Sequence, residues 1–463
     1  MSELPAEACD LTVRQAGQLL RAGQLSAVEL LESVLRRLEA TEPRLKAYVA
    51  VLADEARAAA KAADDALRAG NDLGPLHGIP VGVKDIFDVA GVPTRCGSRA
   101  RENAAPAERD ATSVARLRAA GAVIVGKTTT QEFAAGVVSP PARNPWDPER
   151  IPGGSSGGSA SAVAAGSALA ALGSDTGGSV RIPASLCGVA GLKPTFGSVD
   201  IRGVFPLAWS LDTVGPLART VEDAALFYDA IADAGRPSAT TELEEGLRGL
   251  RIGVPRPHFF ERIQPGVAAA VEEGIRCLRE LGAEIIEAPW PEAGAARAAS
   301  FVINRVEAVP IHLEGLRTAP DLFGEELRLR LEANALAPVE PYLRALQART
   351  YIKGSVAKLF RELRLDALVT PATPGTAVPA DDLNVEYPDG SREPVGLAYT
   401  RLTMPFNLTG QPALSVPCGL DERGLPVGLQ IAGRPGGEAR VCRIGVAFER
   451  AMMPVRPPLV TGA

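Results

Sequence analysis

The chain has 463 residues, 46% hydrophobic and 22% charged, with 49 Lys and Arg against 55 Asp and Glu for a net charge of −6. That is ample for a large core, and the negative balance argues against an electrostatic nucleic-acid surface. No run approaches the ~20 apolar residues of a membrane span. The start, MSELPAEACD, lacks the apolar core of a secretion signal, so a cytoplasmic protein without membrane contact is expected.

Thr12-x-x-Gln15 and Ser26-x-x-Glu29 are capping boxes, each opening an amphipathic helix. An Ala-rich helix follows over roughly 54–69, then a strand over 79–84. Asp110 is read as the cap of a helix to about 120, followed by a strand over 122–126. Residues 160–172 read as a small-residue helix buried against the sheet. Strand 250–254, helix 266–281 and strand 283–288 repeat the alternation, and 295–365 is mostly helical. Strands 367–370, 413–417 and 427–432 complete the sheet, and helix 438–450 covers it. This order predicts a single large α/β domain, a mixed, mostly parallel β-sheet covered by helices on both faces. Within residues 1–463, the expected parts are a helical N-terminal piece (1–70), a catalytic core (78–235) and a variable helical region on the substrate side (290–365). Length alone would suggest about three domains, but no charged or Pro-rich linker divides the chain.

Two Gly/Ser knots, GGSSGG at 153–158 and DTGGS at 175–179, are joined by SASAVAAGSALAALGS. Gly/Ser clusters are usually linkers. Here the flanks are Ala, Val and Leu, and glycines in a packed core mean close backbone approach or positive φ. Each knot places a serine hydroxyl among backbone N–H groups, which suits acyl transfer. Residues 153–157 also match the G-x-S-x-G elbow of α/β-hydrolases. That reading needs a downstream histidine, and His258 and His312 lack supporting context, while Asp147–Pro152 makes a poor strand before the elbow. A neutral lysine is the other available base. Lys84 lies in the apolar segment HGIPVGVKDIFDVAGV, where desolvation would lower its pKa from about 10.4. The competing reading pairs it with Asp85 or Asp88. The six cysteines (9, 96, 187, 277, 418, 442) show no C-x-x-C pairing and no His/Cys cluster, so reduced thiols and no metal site or cofactor are expected.

The sequence resembles the amidase signature family over most of its length. The resemblance is carried by GIPVGVKDIFDVAGVPT (78–94), GAVIVGKTTTQEF (121–133), NPWDPERIPGGSSGGSASAVAAG (144–166), GSDTGGSVRIPASLCGVAGLKPT (173–195), SLDTVGPLARTVEDAA (210–225) and the stretch 407–433. Ser161 and Val180 stand where alanine and isoleucine are common. The resemblance implies a triad of Lys84, Ser155 on a cis peptide, and Ser179 as nucleophile. The backbone N–H groups of Thr176, Gly177, Gly178 and Ser179 are the implied oxyanion hole, braced by an Asp175–Arg181 ion pair. It also implies hydrolysis of a C–N bond through a serine acyl-enzyme. Simple amidases, carbamate and urea-type hydrolases, and the glutaminase component of tRNA-dependent amidotransferases all belong to the family. The stretch 399–419 is more like stand-alone amidases. The expected pocket includes Gln131, Phe133, Gly136 and Trp209. The small apolar residues of 131–138 point to a small or medium, uncharged or aryl amide as the partner molecule, with a homodimer as an allowed assembly.

Overall fold

The computed structural model describes residues 7–453 together with Pro5, Val455 and Pro457, so most of the segment read for a secretion signal lies outside the described residues. In chain order the strands are β1 (Tyr48–Val51), β2 (Pro80–Lys84), β3 (Val123–Thr128), β4 (Ala170–Ser174), β5 (Ala190–Lys193), β6 (Val214–Ala218) and β7 (Arg251–Val254). They continue with β8 (Glu284–Glu287), β9 (Ala367–Pro371), a small hairpin of β10 (Asn384–Glu386) and β11 (Arg392–Pro394), then β12 (Ala413–Leu420) and β13 (Pro426–Ala432). Eleven of them form one sheet in the order β1-β3-β2-β4-β6-β5-β12-β13-β9-β7-β8. Parallel pairing fills two wings, β3–β2–β4 and β9–β7–β8, where strands and helices alternate in sequence. Antiparallel pairs join the wings through β6, β5, β12 and β13, and β1 adds an antiparallel edge. Helices cover both faces, so β4 (AALGS) and β6 (VGPLA) are buried along their whole length.

Both capping boxes form. Thr12 accepts from the Gln15 amide at the start of helix Val13–Arg21, and Ser26 from the Glu29 amide at the start of Ala27–Leu45. The Ala-rich helix runs Ala53–Arg68. Asp110 does not cap its helix. The helix is Thr112–Ala119, and Asp110 instead accepts from the Ala90 amide and Arg118 Nε. The buried small-residue segment also differs from expectation. Its helix is Gly157–Ala165, ended by Gly166 in the left-handed region (φ +82), and the chain then turns into β4. Small residues are required in that helix because a Cβ on Gly158 would lie 2.5 Å from the Ala47 carbonyl oxygen. Among the described residues no helix is long and apolar enough to cross a membrane. Helices Ala293–Thr318, Glu325–Ala335 and Val339–Glu362 occupy the region expected to be helical.

Candidate active site

The site is built where β2 and β4 end side by side. Parallel pairing in the register Val83 with Leu172 brings Lys84 level with the end of β4. Lys84 is completely buried. Its Nζ lies 2.7 Å from Ser155 Oγ and 2.8 Å from Ser174 Oγ, and it has no ion pair among the described residues. Loss of hydration pushes its pKa down to about 7, although the charges of Asp175 and Asp212 pull the other way. The alternative pairing of Lys84 with Asp85 is absent, because Asp85 is engaged by Lys127 at 2.7 Å.

Ser155 opens the turn before helix Gly157–Ala165, and the Gly154–Ser155 peptide is cis. Its carbonyl oxygen accepts from Ser139 Oγ (3.0 Å), Thr130 Oγ1 (3.1 Å) and the Gln131 amide (3.1 Å). The second knot follows β4 and leads into helix Arg181–Cys187. The Ser156 amide donates to the Ser179 carbonyl at 3.2 Å, which ties the two knots together. Of Lys84, Ser155 and Ser179, only Ser179 lines the cavity, so the lysine is sealed behind the serines.

Asp175 and Arg181 brace the second knot. Arg181 meets the Asp175 carboxylate through Nη2 (2.8 Å) and Nε (2.9 Å), and is also held by Gln430 of β13, Asn407 and the Thr403 carbonyl. Burial alone would raise Asp175, but the Arg181 guanidinium overrides it and holds the acid at about 2. The carboxylate accepts from the Gly178 amide at 2.9 Å. That bond removes Gly178 from the expected set of oxyanion donors. The amides of Thr176, Gly177 and Ser179 make no hydrogen bond among the described residues and stay open.

Two further polar residues were not singled out from the sequence. Ser174 supplies the second hydroxyl on Lys84. Asp212 accepts from Thr176 Oγ1 (2.6 Å) and the amides of Leu207 (2.9 Å) and Ala208 (3.1 Å), and burial raises it to about 6. It thereby ties the oxyanion loop to the cavity wall at Leu207.

The cavity in front of Ser179 has a volume of about 400 Å³. Gln131 and Gly136 line it as expected, although Gln131 Oε1 is committed to the Ser139 amide (2.8 Å). Phe133 and Trp209 do not. Phe133 is buried behind the wall, its ring 4.4 Å from that of His312, and Trp209 is 48% exposed in a turn facing away. The histidines serve elsewhere: His77 bonds the Leu73 amide and the Ala63 carbonyl, His258 the Arg401 carbonyl, and His312 stacks among phenylalanines. The elbow reading therefore has no base. All six cysteines are free. Glu7, Cys9 and Asp10 cluster like metal ligands, but the Arg37 guanidinium lies against both carboxylates and supplies their counter-charge.

The family profile described as Amidase matches residues 29–442. An amidase of Pseudomonas putida is 45% identical over 95% of this chain and 96% of its own length. The GatA-type component of the glutamyl-tRNA(Gln) amidotransferase of Chloroflexus aurantiacus is 41% identical, over 95% of this chain and 96% of its own. A solved structure described in connection with the evolutionary origins of an s-triazine catabolic enzyme superposes with a TM-score of 0.90 at 38% identity, covering 96% of this chain and 100% of that one. On this fold, with these motifs in place, the chain belongs to the amidase family, hydrolases that act on C–N bonds.

Proposed function

We propose that this chain hydrolyses a small or medium amide through an acyl-enzyme on Ser179. Neutral Lys84 accepts the Ser155 proton while Ser155 accepts the Ser179 proton, and Ser179 Oγ bonds to the carbonyl carbon. The carbonyl oxygen becomes an oxyanion facing the open amides of Thr176, Gly177 and Ser179. On collapse the C–N bond breaks and the same relay runs backwards, delivering the proton to the leaving nitrogen. Water then enters by the same route, gives up its proton to the relay and releases the acid. The observation that carries this reading is the 2.7 Å contact between a fully buried, carboxylate-free Lys84 and Ser155 Oγ.

Ala134, Ala135, Val137 and Val138 in the cavity wall support an apolar or aryl portion of the substrate. Carbamates and urea-type substrates pass through the same tetrahedral chemistry and differ only in the pocket they need. The similarity to the glutamyl-tRNA(Gln) amidotransferase component keeps a glutaminase as the rival activity. The purified chain, assayed alone on aryl amides, carbamates and glutamine, separates these. Aryl-amide turnover that Ser179→Ala abolishes, without glutaminase activity, is the expected result. Full activity in Ser179→Ala would overturn the nucleophile assignment.

A further inference from the structure

Three charged side chains line the cavity that Ser179 opens into: Arg305, Arg330 and Glu326. Arg305 belongs to helix Ala293–Thr318, and its guanidinium carbon sits 3.9 Å from the centre of the Phe301 ring. That stack fixes the guanidinium but uses none of its N–H donors. Among the described residues Arg305 makes no hydrogen bond and no ion pair. Arg330, on helix Glu325–Ala335, spends one donor on the Ala135 carbonyl (2.5 Å) and has no ion pair either. Both are partly buried, whereas Glu326 is exposed and bonds neither of them. Glu132, the other carboxylate near Arg330, is committed to Ser98 Oγ (2.6 Å) and the Gly324 amide (3.1 Å). Loss of hydration pushes both guanidiniums below their usual pKa, and for Arg305 the charge of Arg330 adds to it.

Partly desolvated guanidiniums with open donors need an anion. Two cations against one exposed carboxylate leave the wall short of a single negative charge. We infer that the substrate brings it: an amide bearing a carboxylate at the end remote from its scissile bond, held by Arg305 and Arg330. A planar carboxylate matches the guanidinium fork, and as a monoanion it balances the wall where a phosphate dianion would overshoot. The rest of the lining (Ala134, Val137, Leu207, Met404) suits an apolar or aryl middle. This revises the uncharged substrate expected from residues 131–138. It rests on the acyl-enzyme reading of Ser179.

The test pairs amides that differ only in the carboxylate, glutaramate with valeramide and terephthalamate with benzamide, on wild type, Arg305→Gln and Arg305→Lys. In wild type the carboxylated member of each pair should win by ~10–100-fold in kcat/KM, the range for hydrogen bonds to a charged group. Arg305→Gln should collapse that ratio, mainly through KM, and Arg305→Lys should restore part of it. A second readout needs no turnover: glutarate should slow the labelling of Ser179 by phenylmethylsulfonyl fluoride in wild type and not in Arg305→Gln. A serine that labels, with equal turnover of both members and no protection by glutarate, overturns the anion subsite alone. A serine that neither labels nor cleaves any amide overturns the acyl-enzyme reading, and the subsite falls with it.

Discussion

Lys84 and Lys127 lie on neighbouring parallel strands, both fully out of solvent, yet only one is built as a base. Lys127 has the Asp85 carboxylate at 2.7 Å. Lys84 has only the hydroxyls of Ser155 and Ser174. A carboxylate stabilises the ammonium and keeps the proton on nitrogen, whereas a hydroxyl leaves the desolvation cost uncompensated and favours the free amine. Lys193 sharpens the contrast. It too is fully buried and pushed down to about 7, first by loss of hydration and then by the Arg181 charge. Its partner is the Pro194 carbonyl, which has no proton to give. Burial therefore makes a neutral amine, and only a hydroxyl partner connected onward turns that amine into a proton acceptor for chemistry.

The strongest way to break this comparison is to remove the ends of the relay. Ser179→Ala should lower kcat by ~10⁴-fold or more, with loss of covalent labelling by phenylmethylsulfonyl fluoride. Lys84→Met should cost ~10²–10⁴-fold in kcat with the fold intact, the range for a positioned general base. Lys127→Met should do the opposite. It strands Asp85 without its cation and should cost about 3–5 kcal/mol of stability, read from the denaturant midpoint. The pH profile of the protein that still folds should be unchanged. A Lys127→Met enzyme that is stable but inactive would erase the distinction.

Much of this site was legible because its residues sit in long motifs. Lys84, Ser155 and Ser179 were identified from segments 78–94, 144–166 and 173–195, and the capping boxes from local spacing alone. What escaped was set by distance and by weak local signal. Asp212 reaches Thr176 from 36 positions away, and nothing around it in sequence marks its carboxylate as an acceptor. Strands β5 and β6 went unread because AGLK and VGPLA are poor in β-branched and aromatic residues. Their glycines answer to packing: a Cβ on Gly215 would lie 2.1 Å from the Leu192 carbonyl oxygen. Trp209 misled because a large aromatic near a conspicuous motif reads as pocket lining, and its turn instead leaves it half exposed. Arg305 and Arg330 were hidden in an Arg-rich helical stretch whose other arginines face solvent or pair with acids (Arg328 with Glu332, Arg344 with Glu340).

The pH profile refines the comparison between the two lysines that share a pKa of about 7. Protonated Lys84 has no lone pair to take the Ser155 proton. The value of kcat/KM should therefore fall as pH drops through about 7, by roughly tenfold per unit below it. Lys193→Met should leave that limb where it is. A limb that vanished with Lys193 would assign the titration to the wrong amine.

The smallest effect is expected at Asp212. Its charge, after that of Asp175, holds Lys84 up against the loss of hydration. Asp212→Asn removes the charge and nearly keeps the shape, so the Lys84 pKa should drop further and the acid limb should move to lower pH. Asp212 itself titrates near 6, so the wild-type limb spans two coupled protonations, and the amide should leave one. The carboxylate also anchors Thr176 at 2.6 Å, and weakening that bond should cost roughly tenfold in kcat at pH 8. Loss of kcat without movement of the limb would make Asp212 a purely mechanical tie. Movement toward higher pH would mean that its charge does not act on Lys84 in the sense argued.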